Sequence, residues 1–357
     1  MKQTIRHNLA RYFSRTSGVA TLLLALFICR FGAQANPTGG TVTQGAASFN
    51  SSGSQFTINQ TSGNAVINWQ IFNIGAGETT TFVQPSASSV AFNQINDVNP
   101  SLILGNLNAN GYVILQNPNG FYVGGSAAIS AHGLIMTTAS APAIDFSSTG
   151  PWSFNAPPPT ARIVNYGKIN VTGGGSAFLI ASDIENNGTI SAPGGKIGLY
   201  AGEQVLVSTS PDGRGLSAEV TLPTGSVDND GKLIADAGSI AAQAKTVNQG
   251  GLIQANSAQN VNGTIELVAG DSLNVSASSV ISAQGGGTGA SSGGSVTLQS
   301  GNTFSDQSGS TISIAGGAQG GNGGQLEISA GSLSGIQSQI DGHASYGFLG
   351  GTFTIDP

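Results

Sequence analysis

Only one cysteine, Cys29, occurs in 357 residues, so no internal disulfide can form and stability must come from packing. Charge is scarce at 8%, and there are just three histidines and no long 3.6-residue hydrophobic period after residue 35. These absences exclude helical bundles and coiled coils. The Gly-x-Ser-x-Gly, P-loop, His-Glu-x-x-His, EF-hand and Gly-Gly-x-Gly-x-Asp patterns are missing, so no metal or cofactor is expected. His132 and His343 each lack a second histidine or a cysteine nearby in sequence, which makes a zinc site improbable. What the chain does have is 54 glycines, with Leu, Ile, Val and Phe scattered singly or in pairs among Thr, Ser and Asn. That alternation reads as strands rather than disorder, and the fold class expected is all-β.

Residues 1–35 read as a secretory signal peptide. Lys2, Arg6, Arg11 and Arg15 form a basic start, Gly18 to Cys29 a short apolar core, and Ala33-Gln34-Ala35 a small-x-small cleavage site before Asn36. The alternative is an N-terminal anchor, favoured by Arg30; no stable membrane span is expected. Five of the 11 basic residues and none of the 17 acidic ones lie in this segment, so the remainder carries a net charge near −11. Nucleic acid and anionic membrane are poor partners for such a surface.

From Asn36 to about Ala141 the chain is richest in bulky apolar residues. Strands are expected at Phe56-Thr57-Ile58, from Ala65 to Phe72, Thr79 to Val83, Val90 to Ile95, Tyr112 to Leu115, Phe121 to Val123 and His132 to Met136. Asn117-Pro118-Asn119-Gly120 is a turn between two of them: proline presets φ, and Asn-Gly tolerates positive φ. Residues 145–160, with Pro151 and Pro157-Pro158-Pro159, read as a Pro-rich loop and a domain boundary. Thr209 to Thr224 reads as a loop or hairpin on one face.

From 161 to 357 a turn-plus-strand unit recurs: Asn165-Tyr166-Gly167-Lys168-Ile169, Asn186-Asn187-Gly188-Thr189-Ile190, Asn229-Asp230-Gly231-Lys232-Leu233 and the looser Asn248-Gln249-Gly250-Gly251-Leu252. The middle step is twice the others, which reads as two units. Such a repeat cannot bury its own apolar face and must stack on its neighbours as a solenoid. Its asparagines are expected to form a hydrogen-bonded ladder, and later glycine clusters to serve tight corners. The last strand, Thr352 to Asp356, has no polar cap after it, so the solenoid is expected to be truncated or uncapped there.

Residues 36–144 resemble the N-terminal secretion domain of filamentous haemagglutinin-type exoproteins. The resemblance rests on Asn68-Trp69-Gln70-Ile71-Phe72-Asn73-Ile74, Phe92-Asn93-Gln94-Ile95, Gly105-Asn106-Leu107-Asn108-Ala109-Asn110-Gly111 and Val113 to Gly124. The family's Asn-Pro-Asn-Gly motif falls on Asn117, Pro118, Asn119 and Gly120, with Phe121 where Ile is usual. Its second motif, Asn-Pro-Asn-Leu, is absent, and the nearest string is Asn99-Pro100-Ser101-Leu102. The repeats beyond 161 are similar to those following that domain. The resemblance implies a right-handed parallel β-helix with an N-terminal capping and secretion domain. It also implies passage through the periplasm of a Gram-negative-type bacterium, and export to the medium or cell surface through an outer-membrane β-barrel transporter with periplasmic docking domains. It points to a non-enzymatic adhesin-like protein that meets a host or cell-surface receptor.

The rival reading is a secreted β-helix polysaccharide lyase or hydrolase, which needs converging carboxylates. Its candidates are Asp183 with Glu185, and Asp228 with Asp230 near Lys232; each pair lies at an Asn-Gly turn, where Asp is ordinary.

Overall fold

The computed structural model describes residues 36–141, 151–211 and 215–356. The expected signal peptide, residues 142–144 and residues 145–150 of the Pro-rich segment lie outside them. Strands occupy each region expected between Asn36 and Ala141: Gln55–Gln60, Asn64–Trp69, Thr79–Val83, Val90–Ile95, Tyr112–Gln116, Phe121–Val123 and Gly133–Thr137.

The strands wind into a parallel β-helix with three faces. One coil runs through Lys168–Val171, Ser176–Ile180 and Asp183–Asn186; the next through Thr189–Ser191, Lys196–Tyr200 and Ser226–Asn229. Each strand pairs in parallel with its counterpart one coil on: Ile169 lies opposite Ile190, Leu179 opposite Leu199, and Ile184 opposite Val227. Alternate side chains point inward, so these aliphatic residues stack in columns in one continuous core. Farther along, Ser239–Gln249, Thr264–Val275 and Ser295–Asp306 bend around a corner and serve two faces each.

The N-terminal end is closed by antiparallel strands. Thr41–Gln44 pairs with Asn64–Trp69, and Ala47–Ser52 with Gln55–Gln60. Beneath them Phe49 and Trp69 rings lie 5.1 Å apart, Trp69 and Phe72 5.5 Å, and Phe72 and Phe82 6.5 Å. The buried Trp69 indole donates to Asn93 Oδ1 at 2.9 Å, and Asn93 in turn donates to the carbonyls of Ala91 and Ile114. The antiparallel cover and the aromatic block keep water from the first coil's apolar interior.

The expected asparagine ladder is present and buried. Asn165 Nδ2 donates to Asn186 Oδ1 at 2.8 Å, Asn186 to Asn229 at 2.7 Å, and Asn229 to Gln249 Oε1 at 2.8 Å. The fourth rung is therefore Gln249 and not Asn248. Parallel register sets Gln249 opposite Asn229 and turns Asn248 outward opposite Asp228. The middle repeat step is also corrected. Asn186 and Asn229 are hydrogen-bonded neighbours although 43 residues apart, so the step is one coil plus an insertion.

That insertion is a hairpin, Gly202–Thr209 with Leu216–Pro223, joined by Trp152–Asn155 in a separate antiparallel sheet. Within the segment expected to be loop, Trp152–Asn155 is thus a strand, placed off the helix where prolines break no ladder. Its following turn is held by Ser182, whose hydroxyl lies 3.1 and 3.0 Å from the Pro157 and Pro158 carbonyls. The sheet covers an outward apolar column: Phe92, Ile114, Ile135 and Phe178 pack beneath Trp152, Phe154, Val205 and Val207. These strands are buried on both sides, which is why Gly133–Thr137 and Ser176–Ile180 read as nearly unbroken apolar runs.

The repeat glycines answer to contact rather than to backbone conformation. A Cβ at Gly188 would lie 2.2 Å from the Gly167 carbonyl oxygen, one at Gly231 2.2 Å from that of Gly188, and one at Gly251 2.0 Å from that of Gly231. Three outcomes follow. Asn186→Ala leaves Asn165 Nδ2 and Asn229 Oδ1 buried without partners, and lowers stability by about 2–5 kcal/mol in urea unfolding. The outward neighbour Glu185→Gln changes it by less than about 1 kcal/mol. Gly231→Ala, forced against backbone, destabilises by about 1–3 kcal/mol in the same measurement.

Candidate functional site

The Asn-Pro-Asn-Gly turn sits at a corner, between Tyr112–Gln116 on one face and Phe121–Val123 on the next. Gly120 N donates to the Asn117 carbonyl at 3.0 Å, closing a β-turn with Pro118 in its second position. Asn119 N donates to Asn117 Oδ1 at 2.9 Å, so the same side chain also braces the turn from within. Only Gly120 uses the conformational freedom expected here, at φ +104°. A Cβ on it would lie 2.6 Å from the Arg162 carbonyl of the next coil.

Asn117 is fully buried, whereas Pro118 and Asn119 are exposed. Its backbone N–H donates to Thr137 O at 3.0 Å. Its Nδ2 donates to the Asn99 carbonyl at 3.1 Å and to Ser101 Oγ at 3.0 Å. Asn119 Nδ2 donates to the Asp97 carbonyl at 2.7 Å, and Ser101 N donates to the Gly120 carbonyl at 3.0 Å. The two strings picked from the sequence, Asn117 to Gly120 and Asn99 to Leu102, are therefore stacked directly on one another. Leu102 pairs in register with Tyr122, and Ser101 with Phe121. Pro100 is exposed, and Phe121 fills the core as one of the largest buried side chains.

Sequence reasoning missed Asp97, whose Oδ1 accepts from Asn99 N and Nδ2 at 3.0 and 3.1 Å. It also missed Asn73, whose Oδ1 accepts from Leu102 N at 2.7 Å. Asn73 was legible within the quoted string Asn68 to Ile74; nothing in the sequence pairs Asp97 with a turn 20 residues on.

Three of the four carboxylates of the rival reading are neighbours: Glu185 lies opposite Asp228 in parallel register, and Ser226 Oγ lies 3.1 Å from Asp228 as well as within reach of Asp183. Asp183 and Glu185 do share an outward face. There Asp183 accepts from Ser226 Oγ at 3.0 Å, while Glu185 accepts from Asn187 Nδ2 at 2.6 Å and faces Arg162 at 3.9 Å. Asp228 accepts from Asn248 Nδ2 at 2.5 Å, beginning an outer ladder that Asn274 and Ser305 continue at 2.8 Å each. Asp230 lies in the turn beyond. Among the described residues no group of three or more His, Cys, Asp or Glu side chains is placed to hold a metal ion. His132 stands edge-on to Tyr112 with ring centres 5.3 Å apart, and burial pushes the Tyr112 hydroxyl pKa up. His343 Nδ1 lies 2.7 Å from Asp341, whose carboxyl it holds below the usual range.

The family model for the TPS secretion domain matches residues 33–283. The chain belongs to this family. It is 32% identical over 249 residues to a heme/hemopexin-binding protein of Haemophilus influenzae, covering 66% of this chain and 27% of that protein. A second heme/hemopexin-binding protein of H. influenzae is 43% identical over 84 residues, 24% of this chain and 9% of that protein. The chain thus spans about a quarter or less of the length of these relatives. The crystal structure of the HMW1 secretion domain from H. influenzae matches in fold, with TM-score 0.69 and 24% identity over 89% of this chain and all of that one.

TPS exoproteins cross the outer membrane of Gram-negative bacteria and are secreted or surface-associated, and the TPS domain implies a partner outer-membrane transporter. No helix among the described residues is long and apolar enough to span a membrane. The lyase or hydrolase reading finds no support in these relatives, and the three neighbouring carboxylates are each engaged in side-chain hydrogen bonds along the sheet. Within the TPS domain, Asn117→Ala removes three side-chain hydrogen bonds and strands buried Ser101. It lowers stability by about 2–4 kcal/mol in thermal unfolding, while exposed Asn119→Ala costs less than about 1.5 kcal/mol.

Proposed function

We propose that this chain addresses a non-enzymatic, adhesin-like exoprotein to its transporter, and that residues 36–144 carry the address. The periplasmic docking domains of the barrel would read the corner built by Asn117 to Gly120 on Asn99 to Leu102. The observation that carries this reading is the position of Asn117. A fully buried amide in a surface turn ties both strings together, and its neighbours Pro118 and Asn119 are held outward on a rigid base. A turn needed only to reverse the chain has no use for such bracing. Beyond residue 161 the repeats act as scaffold. The heme and hemopexin named for the relatives belong to far longer proteins and are not carried over here.

The test is secretion by cells carrying the cognate transporter. Asn119→Ala, folded by circular dichroism, is expected to cut release into the medium several-fold with periplasmic accumulation. Release of folded Asn119→Ala and Asn117→Ala variants at the unsubstituted level overturns the reading.

A further inference from the structure

The glycine column that lets coils stack also leaves a groove on the outside. Gly167, Gly188, Gly231 and Gly251 have no side chains to fill the corner, and a cavity of about 690 Å³ runs along them. Its wall carries Lys168, Thr189 and Lys232, successive partners in one parallel row. The two ammonium groups therefore project from strands two spacings apart, about 9.6 Å. After residue 35 only six basic residues remain in the chain, and two of them share this groove. Among the described residues neither lysine has an ion-pair partner. At one end Tyr166, 44% exposed, tilts against Tyr122 with ring centres 5.8 Å apart. Asn187 and Asp230 line the same groove.

We infer that this groove binds an acidic polysaccharide carrying one carboxylate on every second sugar. The separation of the lysines matches the length of a disaccharide unit, so each would meet a carboxylate on the same side of the chain. An exposed tyrosine face stacks on the apolar face of a pyranose. Asn187 and Asp230 accept hydrogen bonds from sugar hydroxyls, a role for which phosphate chains offer no donor. Asp230 and the nearby Glu185 repel any anion, and so disfavour nucleic acid, with a charge on every nucleotide, more than a chain charged on every second sugar. The side-chain-free floor lets a flat sugar approach the backbone. The groove is lined by residues between Gly125 and Val280 and does not include the Asn117 to Gly120 corner, so its binding is tested separately from the secretion role.

The probe is a hyaluronan octasaccharide titrated into the chain by calorimetry at low salt. Measurable binding is expected to weaken with added salt, and to weaken up to about fivefold in Lys168→Gln or Lys232→Gln and about tenfold in the double variant. Lys245→Gln, outside the groove, serves as control and leaves the affinity unchanged. Both groove lysines are exposed, and folding of the variants is checked by circular dichroism. The inference is overturned if the octasaccharide does not bind. It is equally overturned if the folded double variant binds as well as the unsubstituted chain, or if carboxyl-reduced hyaluronan or a single-stranded DNA of similar length binds as tightly.

Discussion

Parallel stacking holds each coil to the next at one strand spacing, about 4.8 Å, and the rest of the structure follows from that spacing. At a corner there is no room between carbonyl oxygens and the next coil's Cα, so Gly167, Gly188, Gly231 and Gly251 recur. Inside, a polar side chain survives only if its neighbours above and below complete its hydrogen bonds. A carboxamide, which both donates and accepts, does this in an unbroken series from Asn165 to Gln249. Any residues in excess of one coil must leave the helix sideways. Those between Gly202 and Pro223 do so as a hairpin and cover the apolar outer column of one face.

The secretion-motif corner uses the same device at the other end of the domain. Asn117 is a buried amide like Asn165, but its partners are a carbonyl and a hydroxyl of the preceding coil rather than a second amide. Its ladder is one rung long, and the turn above it is fixed while remaining open to solvent. The carboxylates that recommended an enzymatic reading serve the sheet in a comparable way, accepting hydrogen bonds from Ser226, Asn187 and Asn248 along the outer surface.

Much of this was legible in the residues. Seven strands between Gln55 and Thr137 follow from period-two alternation, and the Asn117–Gly120 turn from proline and glycine chemistry, whereas the short strands Ser101–Ile103, Asn106–Ala109 and Ala128–Ala131 went unread. The ladder follows from the asparagine that opens each repeat. Where the reading failed, the reason was register. Asn248 and Gln249 are both amides, and only pairing against Asp228 and Asn229 decides which one points inward. The 43-residue step between Asn186 and Asn229 looked like two coils because an inserted hairpin is as long as a coil. Trp152–Asn155 was hidden among prolines because its partners lie about 50 residues away.

By itself the sequence determined the all-β solenoid, since glycine, β-branched and amide residues at a near-constant period can bury their apolar side only by stacking. It also determined the secretion-domain character, carried by strings local enough to read directly. Tertiary structure alone decided that Asn99 to Leu102 lies against Asn117 to Gly120, that Asp97 receives Asn119, and that Lys168 and Lys232 share one groove. Each of these contacts joins neighbouring coils, and hydrogen-bonded register, rather than separation along the chain, sets which residues meet.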